Sequence, residues 1–281
     1  TSPARGDSDY DGLSDPTELY FGRNPASADS YSTIPFIENF ETNTCLPGSL
    51  NGQNGWETFP PNAALVQTQE VYEGAQALTI AHSPSTISTA RHLFAQSGTN
   101  VMWLDWYDKA IAAPAPTAAP GSAFAFYFDN QGRLVAYNGS SQQWLTLTNH
   151  APVATGAWVR LTVKLDYSAQ EWLLCLDGLS VASGLGFGTT SQTFSCFLAE
   201  GKKATLDKLA ITATMPAGIS LDGDNLPDSW ELQYFGNLSQ TDNGDPDGDG
   251  LTNLQEYQNG ANPTAADSDY DLVSDGMELR F

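Results

Sequence analysis

Trp158-Val-Arg-Leu-Thr-Val-Lys-Leu165 and Glu171-Trp-Leu-Leu-Cys-Leu176 stand close together in the chain, and Asp177-Gly178 follows the second run. In the first run apolar and polar residues alternate, which is the pattern of a strand with one face turned to a core. The Asp-Gly pair is the residue choice of a tight turn between two strands. Working outward, similar short runs recur at Ala64-Leu-Val-Gln-Thr68, Ala77-Leu-Thr-Ile-Ala81, Val101-Met-Trp-Leu-Asp-Trp-Tyr107, Ala123-Phe-Ala-Phe-Tyr-Phe128 and Thr205-Leu-Asp-Lys-Leu-Ala-Ile211. Asp129-Asn-Gln-Gly132 is a further turn signal. Roughly ten or more short strands with no helical period predict a mainly β fold, a two-sheet jelly-roll sandwich, over residues 33–214. With 13 Phe, 11 Tyr and 7 Trp in 281 residues, the chain has enough apolar bulk for a sizeable core.

The two ends read differently. The chain has 33 acidic and 11 basic residues, a net charge of −22. Residues 1–32 and 215–281 hold 20 of those acids and only 3 bases. So acidic a chain excludes a nucleic-acid binder, whose footprint is a basic patch. No apolar run reaches the ~18 residues of a membrane span. Thr1-Ser-Pro-Ala-Arg5 lacks an apolar leader, so any export signal is expected to have been removed.

The acids are regularly spaced. In Asp7-Ser-Asp-Tyr-Asp-Gly-Leu-Ser-Asp-Pro-Thr-Glu18, carboxylates fall at positions one, three, five, nine and twelve, with Gly12 at six. This is the calcium-loop pattern of the EF-hand. A hard cation wants six to eight oxygens, so alternate carboxylates wrap it, residue seven adds its carbonyl, and a Glu at twelve closes the site. The expected ligands are Asp7, Asp9, Asp11, Leu13, Asp15 and Glu18. The pattern returns as Asp222, Asp224, Leu226, Asp228 and Glu231 behind Ser220; as Asp245, Asp247, Asp249, Leu251, Asn253 and Glu256; and as Asp267, Asp269, Asp271, Val273, Asp275 and Glu278. Asn225 and Leu272 stand where Gly is usual. These loops are expected to hold Ca2+, about four ions or more per chain. Carboxylates ~4 Å apart repel by about 1 kcal/mol even in water, so the ions are expected to be structural and their binding energy to be folding energy.

Each loop leads into a stretch of helical character, with Gly22, Gly236 and Gly260 suited to helix C-termini. The aromatics beside those glycines are expected to pack one repeat on the next. The loops resemble thrombospondin type 3 repeats and the related acidic repeats of large bacterial surface proteins. The order of segments in 33–214 resembles the concanavalin A-like (laminin G-like) jelly roll. Together they give three expected parts: a calcium repeat over 1–32, the jelly roll over 33–214, and three tandem calcium repeats over 215–281.

Catalytic signatures are missing. The jelly-roll glucanases place two Glu around an Asp on one strand, and no such run exists; Asp105 and Asp108, three apart, point to opposite faces. No Gly-x-Ser-x-Gly elbow occurs, and His82, His92 and His150 lack a nucleophile or ligand spacing. The chain is expected to be non-enzymatic. Trp103, Trp106, Tyr107, Tyr137 and Trp144 either stack on a glycan or fill the sandwich. Cys45, Cys175 and Cys196 are odd in number, leaving open one disulfide, Cys175 to Cys196, or three thiols.

Two functions compete at this point, both extracellular. One is a structural or adhesive protein whose units join head to tail through calcium-loaded repeats. Residues 1–21 and 261–281 agree at 11 of 21 positions, which favours such self-association. The other is a carbohydrate-binding module of a larger secreted or surface protein.

Overall fold

The computed structural model describes residues 6–11, 14–20, 22–80, 88–95, 98–116, 120–201 and 204–279. Leu13, Gly12 and His82 lie outside them. In chain order the elements are α1 (Asp15–Tyr20), β1 (Phe36–Glu38), β2 (Gly48–Ser49), β3 (Trp56–Phe59), β4 (Ala64–Gln67), β5 (Ala77–Ile80), β6 (Ser88–Leu93), β7 (Val101–Lys109), β8 (Phe126–Phe128), β9 (Leu134–Asn138) and β10 (Gln143–Thr146). They continue with β11 (Trp158–Asp166), β12 (Glu171–Leu176), β13 (Leu179–Gly186), β14 (Cys196–Gly201), β15 (Ala204–Thr212), α2 (Asp228–Phe235), α3 (Asn253–Asn259) and α4 (Asp275–Glu278).

The fold is mainly β. One sheet runs β13-β12-β11-β7-β15-β5-β4-β2, with β1 also pairing on β15. Two three-stranded sheets, β10-β9-β8 and β14-β6-β3, make the other layer. The longest ladder sets β11 antiparallel to β7, from Trp158 against Lys109 to Asp166 against Val101. The alternation quoted at 158–165 is realised there: Val159, Leu161, Val163 and Leu165 are buried, with Trp158, Arg160 and Lys164 less so. Asp177 and Gly178 both take positive φ (51° and 88°), as a tight hairpin turn requires.

Aromatic contacts join the layers. Trp106 on β7 has ring centroids 6.0 Å from both Phe126 on β8 and Phe197 on β14. The Trp172 indole N–H on β12 donates to the Tyr137 carbonyl on β9 at 3.2 Å. Trp56 of β3 is fully buried among Phe40, His92 and Phe197. Trp103, Trp106 and Tyr137 are therefore core, and Tyr107 stacks on Tyr72 at 3.6 Å. Of the stacking platform weighed from the sequence, only Trp144 and Tyr107 stay part-exposed.

Asp105 and Asp108 do face opposite ways. Asp105 takes both Arg160 guanidinium hydrogen bonds (2.9 and 3.0 Å) and the Thr162 hydroxyl. Asp108 accepts the Trp106 indole N–H on the inner side, and burial pushes its carboxyl up to about 7. No disulfide joins Cys45, Cys175 or Cys196. The open disulfide is not formed: Cys175 lies on β12 and Cys196 on β14, in different sheets.

The chain divides into two compact units. The first takes Thr1–Leu174 with Val181–Thr214, so the N-terminal acidic loop goes with the sandwich. The second takes Cys175–Ser180 with Met215–Phe281. Within it Ser220 N–H donates to the Gly178 carbonyl at 2.8 Å, and Ser180 N–H donates to that of Ser220 at 3.1 Å.

Candidate metal centres in the acidic loops

We number the loops 1 (7–18), 2 (220–231), 3 (245–256) and 4 (267–278). Their sequence repeat becomes a hydrogen-bond repeat. The N–H of position nine donates to the carbonyl just before position one in all four: Asp15 to Gly6 (2.8 Å), Asp228 to Ile219 (2.9 Å), Asn253 to Gly244 (2.7 Å) and Asp275 to Ala266 (3.1 Å). Position nine is also where each helix starts, at Asp15, Asp228, Asn253 and Asp275. The N–H of position seven donates to the position-five carboxylate in loops 2, 3 and 4: Leu226 to Asp224 (2.9 Å), Leu251 to Asp249 (2.7 Å) and Val273 to Asp271 (2.9 Å).

These bonds turn the side chains of positions one, three and five inward. Asp7, Asp9 and Asp11 can bring one oxygen each within 4.8 Å of the others, as can Asp245, Asp247 and Asp249, and Asp267, Asp269 and Asp271. In loop 2 the set is Asp222, Asp228 and Glu231. There Ser220 at position one donates its hydroxyl to Asp222 at 3.1 Å, and Asp224 keeps a buried oxygen with no partner.

Position twelve closes three of the loops. Glu18, Glu231 and Glu256 are each 0% exposed. Both carboxylate oxygens of Glu18 and of Glu256 lack any hydrogen-bond partner, as does Oε2 of Glu231. A buried ionised carboxylate without a partner is costly and normally shifts its pKa or coordinates a metal. Burial first, then the charges of Asp11 and Asp9, pushes Glu18 up to about 7. Burial with Asp224 and Asp222 does the same to Glu231, also to about 7, and burial with Asp247 and Asp249 pushes Glu256 up to about 8. A divalent cation would supply the missing partner for these oxygens, and a set made only of oxygens is of the kind calcium takes. Loop 4 differs, because Glu278 is exposed.

Position nine has a role that its ligand assignment from the sequence did not include. Asp15 accepts the Ser8 N–H (2.6 Å) and hydroxyl (2.7 Å), one on each oxygen. Asp275 accepts the same pair from Ser268 (2.9 and 2.5 Å), and Asp228 accepts the Leu221 N–H at 2.8 Å. These side chains clasp the loop to its own start. Loop 3 has Pro246 at position two and so no N–H to receive. Position nine there is Asn253, which instead donates to the Thr241 carbonyl at 2.9 Å and keeps a buried, unpartnered oxygen. Ser at position two with Asp at nine, against Pro with Asn, was the signal in the sequence.

The expected glycine caps are present; of the aromatics beside them, Tyr257 packs on the preceding repeat through Trp230, whereas Tyr20 is 80% exposed. Gly236 and Gly260 take positive φ (68° and 74°) at the ends of α2 and α3. The Trp230 ring on α2 lies 6.0 Å from Tyr257 on α3.

Elsewhere in the first unit, the outer face of β3-β6-β14 forms a groove of about 700 Å³, lined by Tyr20, Asn51, Glu57, Phe59, Arg91 and Leu198 among others. Phe59 is 75% exposed and Tyr20 80%. Arg91 Nε donates to Glu57 at 2.6 Å, and Arg23 pairs with the same carboxylate.

No protein-family model matches this chain, and no curated protein matches it. Among solved structures it is similar to a "Sialidase" at 11% identity and a TM-score of 0.42, over 60% of this chain and 18% of that one. It is similar to "Cellulose induced protein, Cip1" at 12% identity and a TM-score of 0.43, over 64% of this chain and 97% of that one. For "lectin UEA-II complexed with galactose" the figures are 13% and 0.41, over 64% and 98%. Among the described residues no helix is long and apolar enough to cross a membrane.

Proposed function

We propose that this chain is a secreted, non-catalytic, calcium-stabilised carbohydrate-binding module. Each acidic loop takes one Ca2+, about four ions per chain. The observation behind the metal reading is the set of buried carboxylate oxygens without partners at Glu18, Glu231 and Glu256. The ions hold the loops together and leave the sandwich face as the binding surface.

The groove on β3-β6-β14 supports the glycan reading. It sets an exposed aromatic ring, Phe59, beside a guanidinium–carboxylate pair, Arg91 and Glu57. Rings offer a face for stacking and the pair offers directional donors and acceptors, which is the mix a sugar needs. Glycan-array binding that is lost in Phe59→Ala and in Arg91→Ala, with the calcium content unchanged, is the expected result. Unchanged binding in both variants overturns the assignment of this face.

The echo between residues 1–21 and 261–281 favours a second reading, a row of copies joined through loops 4 and 1. Loop 1 has Pro16 at position ten, where loop 4 has Gly276. The Gly276 N–H donates to Asp249 of loop 3 at 2.6 Å; Pro16 has no N–H, so loop 1 cannot dock on a preceding loop in that way. Sedimentation in millimolar calcium separates the readings: a monomer supports the module, and a calcium-dependent polymer supports the row.

A further inference from the structure

A second cavity adjoins the groove on β3-β6-β14. It holds about 220 Å³, against about 700 Å³ for the groove, and the two share Gly52 and Glu57. Charge links them as well. Glu57 Oε2 accepts the Nε–H of Arg91, a groove residue, at 2.6 Å, while Oε1 pairs with Arg23, which lines the cavity and not the groove. One carboxylate therefore stands between two guanidinium groups, one in each compartment.

The segment that follows α1 walls the cavity. Arg23, Asp29, Ser30, Tyr31 and Ser32 line it and do not line the groove. This strap is tied at both ends. The Arg23 N–H donates to the Glu18 carbonyl at 2.7 Å, and the Asp29 N–H donates to Asp11 at 2.9 Å. At the far end Ser32 pairs with Phe94, just past β6, and its carbonyl accepts the Ala95 N–H at 3.0 Å. Between these ties the Tyr31 hydroxyl donates to Asp29 at 3.2 Å, which fixes the phenol. Trp56 lines the same cavity from β3; it is fully buried, and its indole N–H has no hydrogen-bond partner. A buried donor without an acceptor is costly, and such a group asks for a partner.

We propose that this cavity is the terminal subsite of the groove and takes the last, uncharged ring of a saccharide chain. The proposal rests on the glycan reading of the groove. The cavity repeats the groove's composition: an aromatic ring, Tyr31 here and Phe59 there, beside a guanidinium on the shared Glu57, Arg23 here and Arg91 there. Its size suits one ring, since clefts for drug-sized ligands start at about 300 Å³. Two guanidinium groups meet two carboxylates, Glu57 and Asp29, so the charges balance and favour a neutral sugar over an acidic one. A sugar oxygen gives the Trp56 N–H its acceptor. The strap stands where a further ring would go, so the protein grips chain ends and not chain interiors.

The test begins on a glycan array in millimolar calcium. It continues with titration calorimetry of the full chain against a length series of an oligosaccharide that binds. End recognition predicts one protein molecule per saccharide chain at every length, with neutral termini preferred. Tyr31→Ala and Asp29→Ala, which alter the cavity alone, should each weaken binding by about fivefold or more. Asp29 is exposed, so its replacement leaves the fold intact. A number of bound molecules that rises with chain length, or binding confined to acidic termini, overturns the terminal subsite. Unchanged affinity in both variants overturns it too, and in each case loss of binding in Phe59→Ala and Arg91→Ala keeps the groove reading standing. If no oligosaccharide binds, the groove reading itself fails and the subsite with it.

Discussion

Pro246 and Asn253 occupy positions two and nine of loop 3, and the missing N–H at the first accounts for the missing carboxylate at the second. At this scale the convergence of the carboxylates at positions one, three and five of loops 1, 3 and 4 was legible in the sequence, because their spacing is that of a calcium loop. The clasp at position nine was less so, since an Asp that accepts N–H groups and an Asp that binds metal look alike until the partners are seen. Two predictions belong to single residues. In the empty loops Glu18 and Glu231 sit at about 7 and Glu256 at about 8, so all three are partly protonated near neutral pH. Calcium must displace those protons. Titrations at pH 7 in buffers of different ionisation heat should show proton release, absent by about pH 10, and affinity should fall as the pH drops below 7. Asp108 makes the second prediction. Its folded carboxyl, at about 7, lies above its ordinary 3.8, so the fold binds a proton that the unfolded chain has released. The resulting stability is complete below pH ~4 and is lost as pH rises through 7. Asp108→Asn should therefore raise stability at pH 8 by about 1–3 kcal/mol and leave it little changed at pH 4, by urea unfolding.

Elements show where local signals hold and where they fail. The β7–β11 ladder and its alternation could be read directly, because a half-buried strand writes its period into the sequence. The run at 123–128 promised a longer strand than forms; only Phe126–Phe128 pairs, while Phe124 packs beside Trp172. Nothing local in the sequence distinguishes an aromatic that pairs from one that packs. The helices start at position nine, where in all four loops the backbone N–H donates to the carbonyl just before position one. In α3 the start is reinforced by a capping box: the Gln255 N–H donates to the Thr252 hydroxyl (3.3 Å), and the Thr252 N–H donates to Gln255 Oε1 (2.9 Å). Thr252→Ala removes half of that box and should cost about 1 kcal/mol of local stability. Hydrogen exchange should report it as faster opening of Asn253–Asn259, with β7 and β11 unaffected.

For the whole molecule, most of the acids sit in loops whose carboxylates converge, whereas the sandwich rests on buried aromatic and aliphatic side chains. The pairing of β1 with β15, which brings the ends of the sandwich together, was not legible, because pairing between distant strands leaves no local mark. Metal removal should act on the two parts unequally. In excess chelator, protease should cut within residues 218–279 while much of the β-sheet circular dichroism survives; calcium should restore resistance. The most direct measurement is equilibrium dialysis of the full chain against calcium at neutral pH. About four ions per chain, half-saturating at or below roughly 10⁻³ M, is the predicted result. A chain that takes up no calcium at several millimolar, yet keeps its acidic loops resistant to protease, would contradict the account.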